Sequence, residues 1–545
     1  MTAVVWPVRS PLLPMILAGA LSLSLGWGIR GNFGHAYGAL FPGALAAIAV
    51  VLASGREDWW QRIGYFGLFG ALGWSFGGTI SYMHVIAYTH SGHFPSQVYG
   101  FACLFVIGFT WAALGGAGTA LPACLDRDGL TGLFPPLLMV LGAWVLQDFT
   151  VPLLVPMVSS QRRHESILYW YDTSWLAALV AMAAVLAWIA MRRRVCWGSS
   201  LILHLAIGWW VGFLFVVFMV DGLGIEFRMT PPRGDNWAGI LGMTAGMFVY
   251  CGRARLLPVA FAALVSGLVG GFGFAAATFL KLIEVKYLPL FLSQAFGESA
   301  WQTNWHSILE QTYGLFNGIG IALAMGYLAR RLPKFSDGPP ARRWTEVAAV
   351  AFVLLGITYL NLVQNVPHWI RAKAIPSELY GLPSRTWFNL AYALVAAAAI
   401  GLLVRHQRHR LVLIPENDLG KGQLLYLALL WWVVVGNLMR AIPPFQEQRL
   451  ITEGVIHANA VLCMVLVLMC PGAGSWPDRE KERISARSLL NAVTAVPLTL
   501  VVIVGVAAVG TRMIHGSNYI PHAGYHTRFG PDAKTGKPQP GQPHP

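Results

Sequence analysis

Long apolar runs dominate the sequence and restrict the folds open to it. Runs of about 18 or more residues recur from end to end, and each would cross the roughly 30 Å of hydrocarbon in a membrane as a helix. Charged residues make up 11% of the chain, against about 25% in a soluble protein. A β-barrel would instead show alternating segments of about ten residues, which the sequence lacks. The sequence therefore predicts an all-α polytopic membrane protein.

About fifteen transmembrane helices fit this pattern. They lie near 11–28, 36–53, 63–87, 97–123, 131–155, 174–191, 198–220, 237–251, 257–281, 306–329, 345–365, 386–404, 422–438, 455–470 and 489–510. The turns alternate between a mostly short, Arg-rich set and a longer set of mixed charge. Because basic turns mark the cytoplasmic side, we predict a protein of the cell inner (plasma) membrane with its amino terminus in the cytoplasm and its carboxyl terminus outside. The same turns account for the net charge of +14, so no nucleic-acid partner is expected.

The sequence between the first two spans recurs later in the chain. Residues 26–30 read Gly-Trp-Gly-Ile-Arg and residues 222–226 read Gly-Leu-Gly-Ile-Glu, and weaker matches follow in the same order. We predict two parallel six-helix repeats plus a partial third of three helices. An even number of spans in each full copy relates the copies by an axis along the membrane normal. The predicted boundaries are 1–196, 197–420 and 421–511, followed by an external flexible tail over 512–545.

No motif indicates a cofactor or a metal. The sequence contains no P-loop and no H-E-x-x-H. Its six cysteines fall inside predicted spans or at their inner ends, so no disulfides are predicted, and none has the spacing of a zinc site. His515, His522 and His526 are interpreted as part of the solvated tail. We therefore expect no cofactor and no metal.

Polar and ionisable side chains collect at the predicted outer ends of the spans. A charge at membrane depth is costly, and such charges usually face a cavity or one another. We therefore predict one outward-facing polar cavity between the repeats. Arg30, Arg228 and Arg233 would hold anionic groups in it, and Asp221, Glu226 and Asp235 would bind cations or protons. The same side chains can also be read as locally paired loop charges in water. The predicted binding residues are Arg30, Asn32, His35, Asp148, Asp221, Glu226, Arg228, Glu310, Glu453 and His457.

Three functions are compatible with this arrangement. A secondary transporter of a small polar or anionic solute comes first, because duplicated bundles can rock about a site between them; the mostly apolar span centres count against it. The alternative is a membrane-embedded transferase or hydrolase acting on a lipid or lipid-linked substrate at the outer face, with Asp221 or Glu226 as general base. The third is a structural subunit of a membrane complex. The expected partners are membrane lipids and the solute, and the oligomeric state stays open.

Overall fold

The computed structural model describes residues 11–34, 37–154, 173–225, 236–300, 303–335, 338, 342–411, 414–441, 450–470, 484–520 and 528. These residues form nineteen α-helices and one short hairpin of β1 (Glu378–Leu379) and β2 (Leu382–Pro383). The helices are α1 (Leu12–Arg30), α2 (Leu40–Ala53), α3 (Glu57–Trp60), α4 (Ile63–Gly77), α5 (Met83–Thr89), α6 (Phe94–Cys124), α7 (Arg127–Thr131), α8 (Phe134–Leu154), α9 (Trp175–Arg192), α10 (Trp197–Val217), α11 (Asn236–Arg253), α12 (Leu257–Phe296), α13 (Trp305–Arg331), α14 (Arg343–Ala351), α15 (Val366–Arg371), α16 (Ser384–Gln407), α17 (Asp418–Ala441), α18 (Leu450–Leu468) and α19 (Ala486–His515).

Eleven helices in the described residues are long and apolar enough to cross a membrane. Two further apolar helices, Tyr37–Ala53 and Thr452–Leu468, are shorter. The prediction of an all-α, multi-pass membrane protein is confirmed at this level. The count of fifteen spans, the repeats and their boundaries stay predictions.

Six helices close into a ring at the centre of the fold. Helices α1, α2, α4, α6, α12 and α13 contact one another in that order, and α13 packs back against α1. We call this arrangement the six-helix ring. Other helices lie against its outside: α14 on α4, α17 on α2, α18 on α1, α19 on α12 and α11 on α6. Most of the buried aromatic and aliphatic side chains belong to the ring and to this first layer around it.

Glycine lies at every joint of the six-helix ring. A Cβ added to Gly318 of α13 would lie 2.2 Å from the carbonyl oxygen of Gly19 on α1, closer than side-chain carbons approach other atoms. Lipid gives helices no hydrophobic reason to associate, so close backbone contact supplies the attraction instead. Equivalent contacts at the other joints are Gly26 on Pro42, Gly43 on Gly70, Gly73 on Leu114, Gly108 on Gly270 and Gly273 on Phe316.

The predicted third span, 63–87, is not one helix. Helix α4 ends at Gly77 and α5 begins at Met83. The indole of Trp111 on α6 lies against Gly77, where a Cβ would meet it at 1.8 Å, and its Nε1 donates to the carbonyl of Trp74 at 2.8 Å. The chain between α4 and α5 is not helical, and it brings Tyr82 to the inside of the ring.

Buried arginines hold together the end of the ring where α6 and α13 finish. Arg56 forms a bidentate pair with Asp58 and donates to three carbonyl groups at the end of α13, those of Ala329, Leu332 and Pro333. Arg62 donates to the carbonyls of Pro122 and Leu125 at the end of α6. The last carbonyls of a helix have no partner within it, so arginine satisfies them and complements the helix dipole.

The contact between α1 and α13 gives a stability prediction. We expect Gly318→Ala to destabilise the protein by about 1–3 kcal/mol, because the added methyl group would overlap the α1 backbone. The measurement is the melting temperature of the purified protein in detergent, followed by tryptophan fluorescence. Gly401→Ala on α16 is the control, since no atom lies within 4 Å of its added Cβ. Equal melting temperatures for the two variants would contradict the close contact.

Candidate functional site

Arg30 is the last residue of α1 and lies inside the six-helix ring. Its side chain is only 2% exposed. After it the chain makes a 3-10 turn over Gly31–Phe33 and then passes Gly34, whose φ of 89° favours glycine. The helix therefore ends directly after Arg30, whose guanidinium stays in the bundle.

The carboxylate of Glu310 on α13 pairs with Arg30. The Nη2 atom of Arg30 lies 3.2 Å from Oε1 of Glu310 and 2.9 Å from the hydroxyl oxygen of Tyr82. That hydroxyl donates to the same Oε1 in a short hydrogen bond. Glu310 is 6% exposed, so both charges are removed from water. Breaking such a pair would leave an uncompensated buried charge, which is strongly destabilising.

Aromatic rings surround the guanidinium of Arg30. Its central carbon lies 4.4 Å from the ring centroid of Trp27, 4.8 Å from that of Trp111 and 5.5 Å from that of Tyr82. A desolvated cation over an indole face gains about 2 kcal/mol or more from the ring quadrupole. These rings therefore help to keep Arg30 charged in a site with little water.

His306 lies where this cluster meets the surface of the described structure. Its Nε2 atom is 3.8 Å from Oε1 of Glu310, and its side chain is 32% exposed. The imidazole stacks on the ring of Tyr82, with centroids 5.9 Å apart and an interplanar angle of 22°. Lys281 of α12 is close enough to His306 to act on it electrostatically, and Glu284 acts on Lys281 in the same way. We call Arg30, Glu310, Tyr82 and His306 the charged cluster.

A row of polar side chains continues from the charged cluster along α13. Glu310, Tyr313 and Asn317 follow one another at helical spacing, and Asn317 lies near the middle of Trp305–Arg331. From Glu310 to Asn317 the row covers about 10 Å at 1.5 Å per residue. The hydroxyl of Tyr313 is near Asn317 but outside hydrogen-bond geometry.

Several polar atoms in and beside this row are buried without a hydrogen-bond partner, although most buried polar groups in proteins have one. Each such atom calls for an explanation, and a bound solute, water or a second conformation would supply the missing partner. They are Arg30 Nε and Nη1, Trp27 Nε1, Gln311 Oε1 and Nε2, Tyr313 Oη, and Asn317 Oδ1 and Nδ2.

A second polar cluster lies on the side of α1 that faces α17 and α18. Asn32 donates to Oδ1 of Asn437 at 2.7 Å, and Asn437 donates to Oε2 of Glu453 at 3.1 Å. His457, one turn after Glu453, bonds to the carbonyl of Glu453 through Nδ1. These contacts join the 3-10 turn that follows α1 to α17 and α18.

The structure thus brings the predicted site residues together in two groups. Arg30 and Glu310 form the first group, and Asn32, Glu453 and His457 form the second. Two other predicted residues lie apart: Asp148 is exposed on α8, within electrostatic range of Tyr37, and Asp221 is exposed in the π-helical turn after α10. The remaining three, His35, Glu226 and Arg228, are outside the described residues.

Tyr82 and His306 of the charged cluster were not predicted from the sequence. Tyr82 was hidden because 63–87 reads as one unbroken span. The spacing of His306, Glu310, Tyr313 and Asn317 on one face of a helix was available in the sequence, and it indicates a polar stripe. In the part of the chain that the structure describes, no three His, Cys, Asp or Glu side chains group as metal ligands.

Comparisons with known proteins give no match: no family model, no curated protein and no solved structure matches this chain.

The buried ion pair gives the second prediction. We expect Glu310→Ala to destabilise the protein by about 3–5 kcal/mol, because Arg30 would stay buried without its counter-charge. We expect the double variant Arg30→Met with Glu310→Leu to recover much of that loss. The measurement is again the melting temperature in detergent.

The matched control is Glu416→Ala. Glu416 pairs with His409, and both side chains are 63% exposed, so we expect a change of no more than about 1 kcal/mol. A loss for Glu310→Ala no larger than for this control would show that the buried pair does not stabilise the fold.

Proposed function

We propose that this chain is a secondary transporter of a small anionic solute, and that Arg30 binds the anionic group. The observation that carries this proposal is the Arg30–Glu310 ion pair inside a ring of apolar helices. Ionisable residues within membrane-crossing segments are expensive, and they mark substrate, ion or proton pathways. The Arg guanidinium suits carboxylate and phosphate groups because it offers several N–H donors in a planar fork.

Arg30 has donors available for such a ligand. Only its Nη2 atom bonds to Glu310 and Tyr82, while Nε and Nη1 are buried without partners. An incoming carboxylate or phosphate would take these donors and compete with Glu310 for the guanidinium. Protonation of Glu310 would weaken its hold on Arg30, so anion binding would favour proton uptake. We therefore propose a proton as the coupling ion.

The polar row on α13 supports transport over a purely structural role. A transporter binds its solute near the bilayer midplane, between parts of the protein that move relative to each other. Asn317 lies near the middle of α13, and its amide has no partner in this conformation. We propose that Tyr313 and Asn317 contact the solute after it leaves Arg30.

The wider architecture of this proposal comes from the sequence. We propose fifteen spans in six, six and three, with the first two sets as parallel repeats, in the cell inner membrane and with the amino terminus in the cytoplasm. Arg30 falls in the first proposed repeat and Glu310 in the second, so the ion pair would form between the repeats. That is where a rocking motion of two halves would make and break contacts.

Uptake by proteoliposomes tests the transporter. The panel holds labelled phosphate, mono- and dicarboxylates, amino acids and a neutral sugar, each measured with and without an inward proton gradient. We expect accumulation of at least one anion above empty liposomes. Arg30→Gln should reduce that uptake about tenfold or more, the value of one lost charge-assisted hydrogen bond. Glu310→Gln should keep solute exchange without a gradient but lose gradient-driven accumulation.

The exposed residue Glu416 again supplies the control, because Glu416→Gln should leave uptake unchanged. Uptake equal to that of empty liposomes for every solute would reject the transporter and favour the enzyme or the structural subunit. Equal uptake by Arg30→Gln and the parent protein would reject Arg30 as the anion site.

Orientation is tested separately by labelling single cysteines in a cysteine-free background. Arg194 follows α9 and Ser517 follows α19, and both are exposed. We expect a membrane-impermeant maleimide to label Ser517→Cys in intact cells, and Arg194→Cys only after permeabilisation. The opposite pattern would reverse the proposed topology.

A further inference from the structure

A groove runs between α10 and α11 on the exposed surface of this helix pair, away from the charged cluster. Its volume is about 580 Å³, within the roughly 300–1,000 Å³ of small-molecule sites, and it is lined by these two helices. Gly208 and Gly212 of α10 face Gly242 and Gly246 of α11 so closely that a Cβ on Gly242 would lie 2.1 Å from the carbonyl oxygen of Gly208. The missing side chains leave the floor of the groove as bare backbone.

The walls of the groove are apolar and open to the surroundings of the protein. Val211 and Phe215 of α10 are 63% and 54% exposed, and Val249 of α11 is 55% exposed. Helix α10 is long and apolar enough to cross a membrane, and exposed apolar walls along it suit a hydrocarbon chain. A hydrocarbon chain could also lie against the glycine backbone, between these side chains.

The two ends of the groove differ in charge. Trp237 lines one end, and Arg253 and His204 line the other. The sixteen-residue separation of Trp237 and Arg253 corresponds to about 24 Å of helix. Arg253 is exposed, and no carboxylate of the described residues pairs with it. The groove is thus long and apolar enough to hold an acyl chain, and Arg253 lies at the end where an anionic headgroup could bind.

We propose that this groove binds an anionic phospholipid, with an acyl chain between α10 and α11 and the phosphate on Arg253. Basic pockets between membrane helices bind anionic headgroups through the same charge complementarity. A second copy of the chain is a poorer occupant. A two-fold axis along the membrane normal would place two Arg253 side chains at the same depth, where like charges repel.

Native mass spectrometry of the delipidated, full-length protein tests this inference. Phosphatidylglycerol and phosphatidylcholine are added in turn at equal concentration. We expect the protein to retain phosphatidylglycerol at least about tenfold better. Arg253→Gln should abolish that preference. Ala245→Phe should reduce retention of both lipids, because Ala245 lines the groove and is exposed, so the larger ring would fill the groove without a clash.

Arg255→Gln is the matched control. Arg255 is exposed and only two residues from Arg253, but it does not line the groove. Equal losses for Arg253→Gln and Arg255→Gln would show non-specific attraction to basic turns and overturn the proposal. The proposal would also be overturned if the parent protein appeared as a dimer and the Ala245→Phe variant as a monomer, because a second copy would then be the occupant of the groove. Neither result depends on transport, so the groove and the transporter are tested independently.

Discussion

The Arg30–Glu310 ion pair is the interaction on which the interior of this protein depends. It joins α1 to α13, the two helices whose contact closes the six-helix ring. Hydrocarbon offers a charge no hydration, so neighbouring side chains must stabilise the pair. Tyr82 donates to the carboxylate, and the rings of Trp27 and Trp111 lie against the guanidinium. Trp27, Tyr82 and Trp111 thus stabilise the charge that they surround.

Close backbone packing and the buried charges depend on each other. Glycine brings the helices of the ring together, as at Gly19 and Gly318, and so excludes lipid from the interior. Exclusion of lipid leaves the polar row on α13 facing protein groups rather than hydrocarbon. The row is only partly satisfied, since the amide of Asn317 and the hydroxyl of Tyr313 have no partner. The ring is thus closely packed by glycine, yet it holds buried polar atoms without a hydrogen-bond partner.

The fold class was predicted from the sequence, and so were Arg30 and Glu310 as site residues, but not that they pair with each other. Membrane thickness fixes the length of a span, so apolar runs reveal helices directly. The same rule, that a charge in an apolar run is costly, selected Arg30 and Glu310 together with Asp148 and Asp221. It could not separate them, because burial depends on which helices are neighbours. The partners Arg30 and Glu310 are 280 positions apart, and the polar stripe of α13 shows which face is buried but not which helix lies against it. The position of Tyr82 depends on the break after Gly77, which the unbroken apolar run over 63–87 does not reveal.

The two ends of the ring are held by different kinds of bond. At one end Arg56 and Arg62 donate to main-chain carbonyls of α13 and α6, three from the first and two from the second. At the other end the half-buried imidazole of His306 stacks on the buried ring of Tyr82. Rotation of side-chain bonds alone can separate Tyr82 from His306. Separating the helix ends held by Arg56 and Arg62 would instead require several main-chain carbonyls to lose their hydrogen bonds together. His306 is the most exposed member of the charged cluster, at 32% against 6% or less for the others, so a change of its side-chain rotamer would uncover the carboxylate of Glu310 without moving a helix.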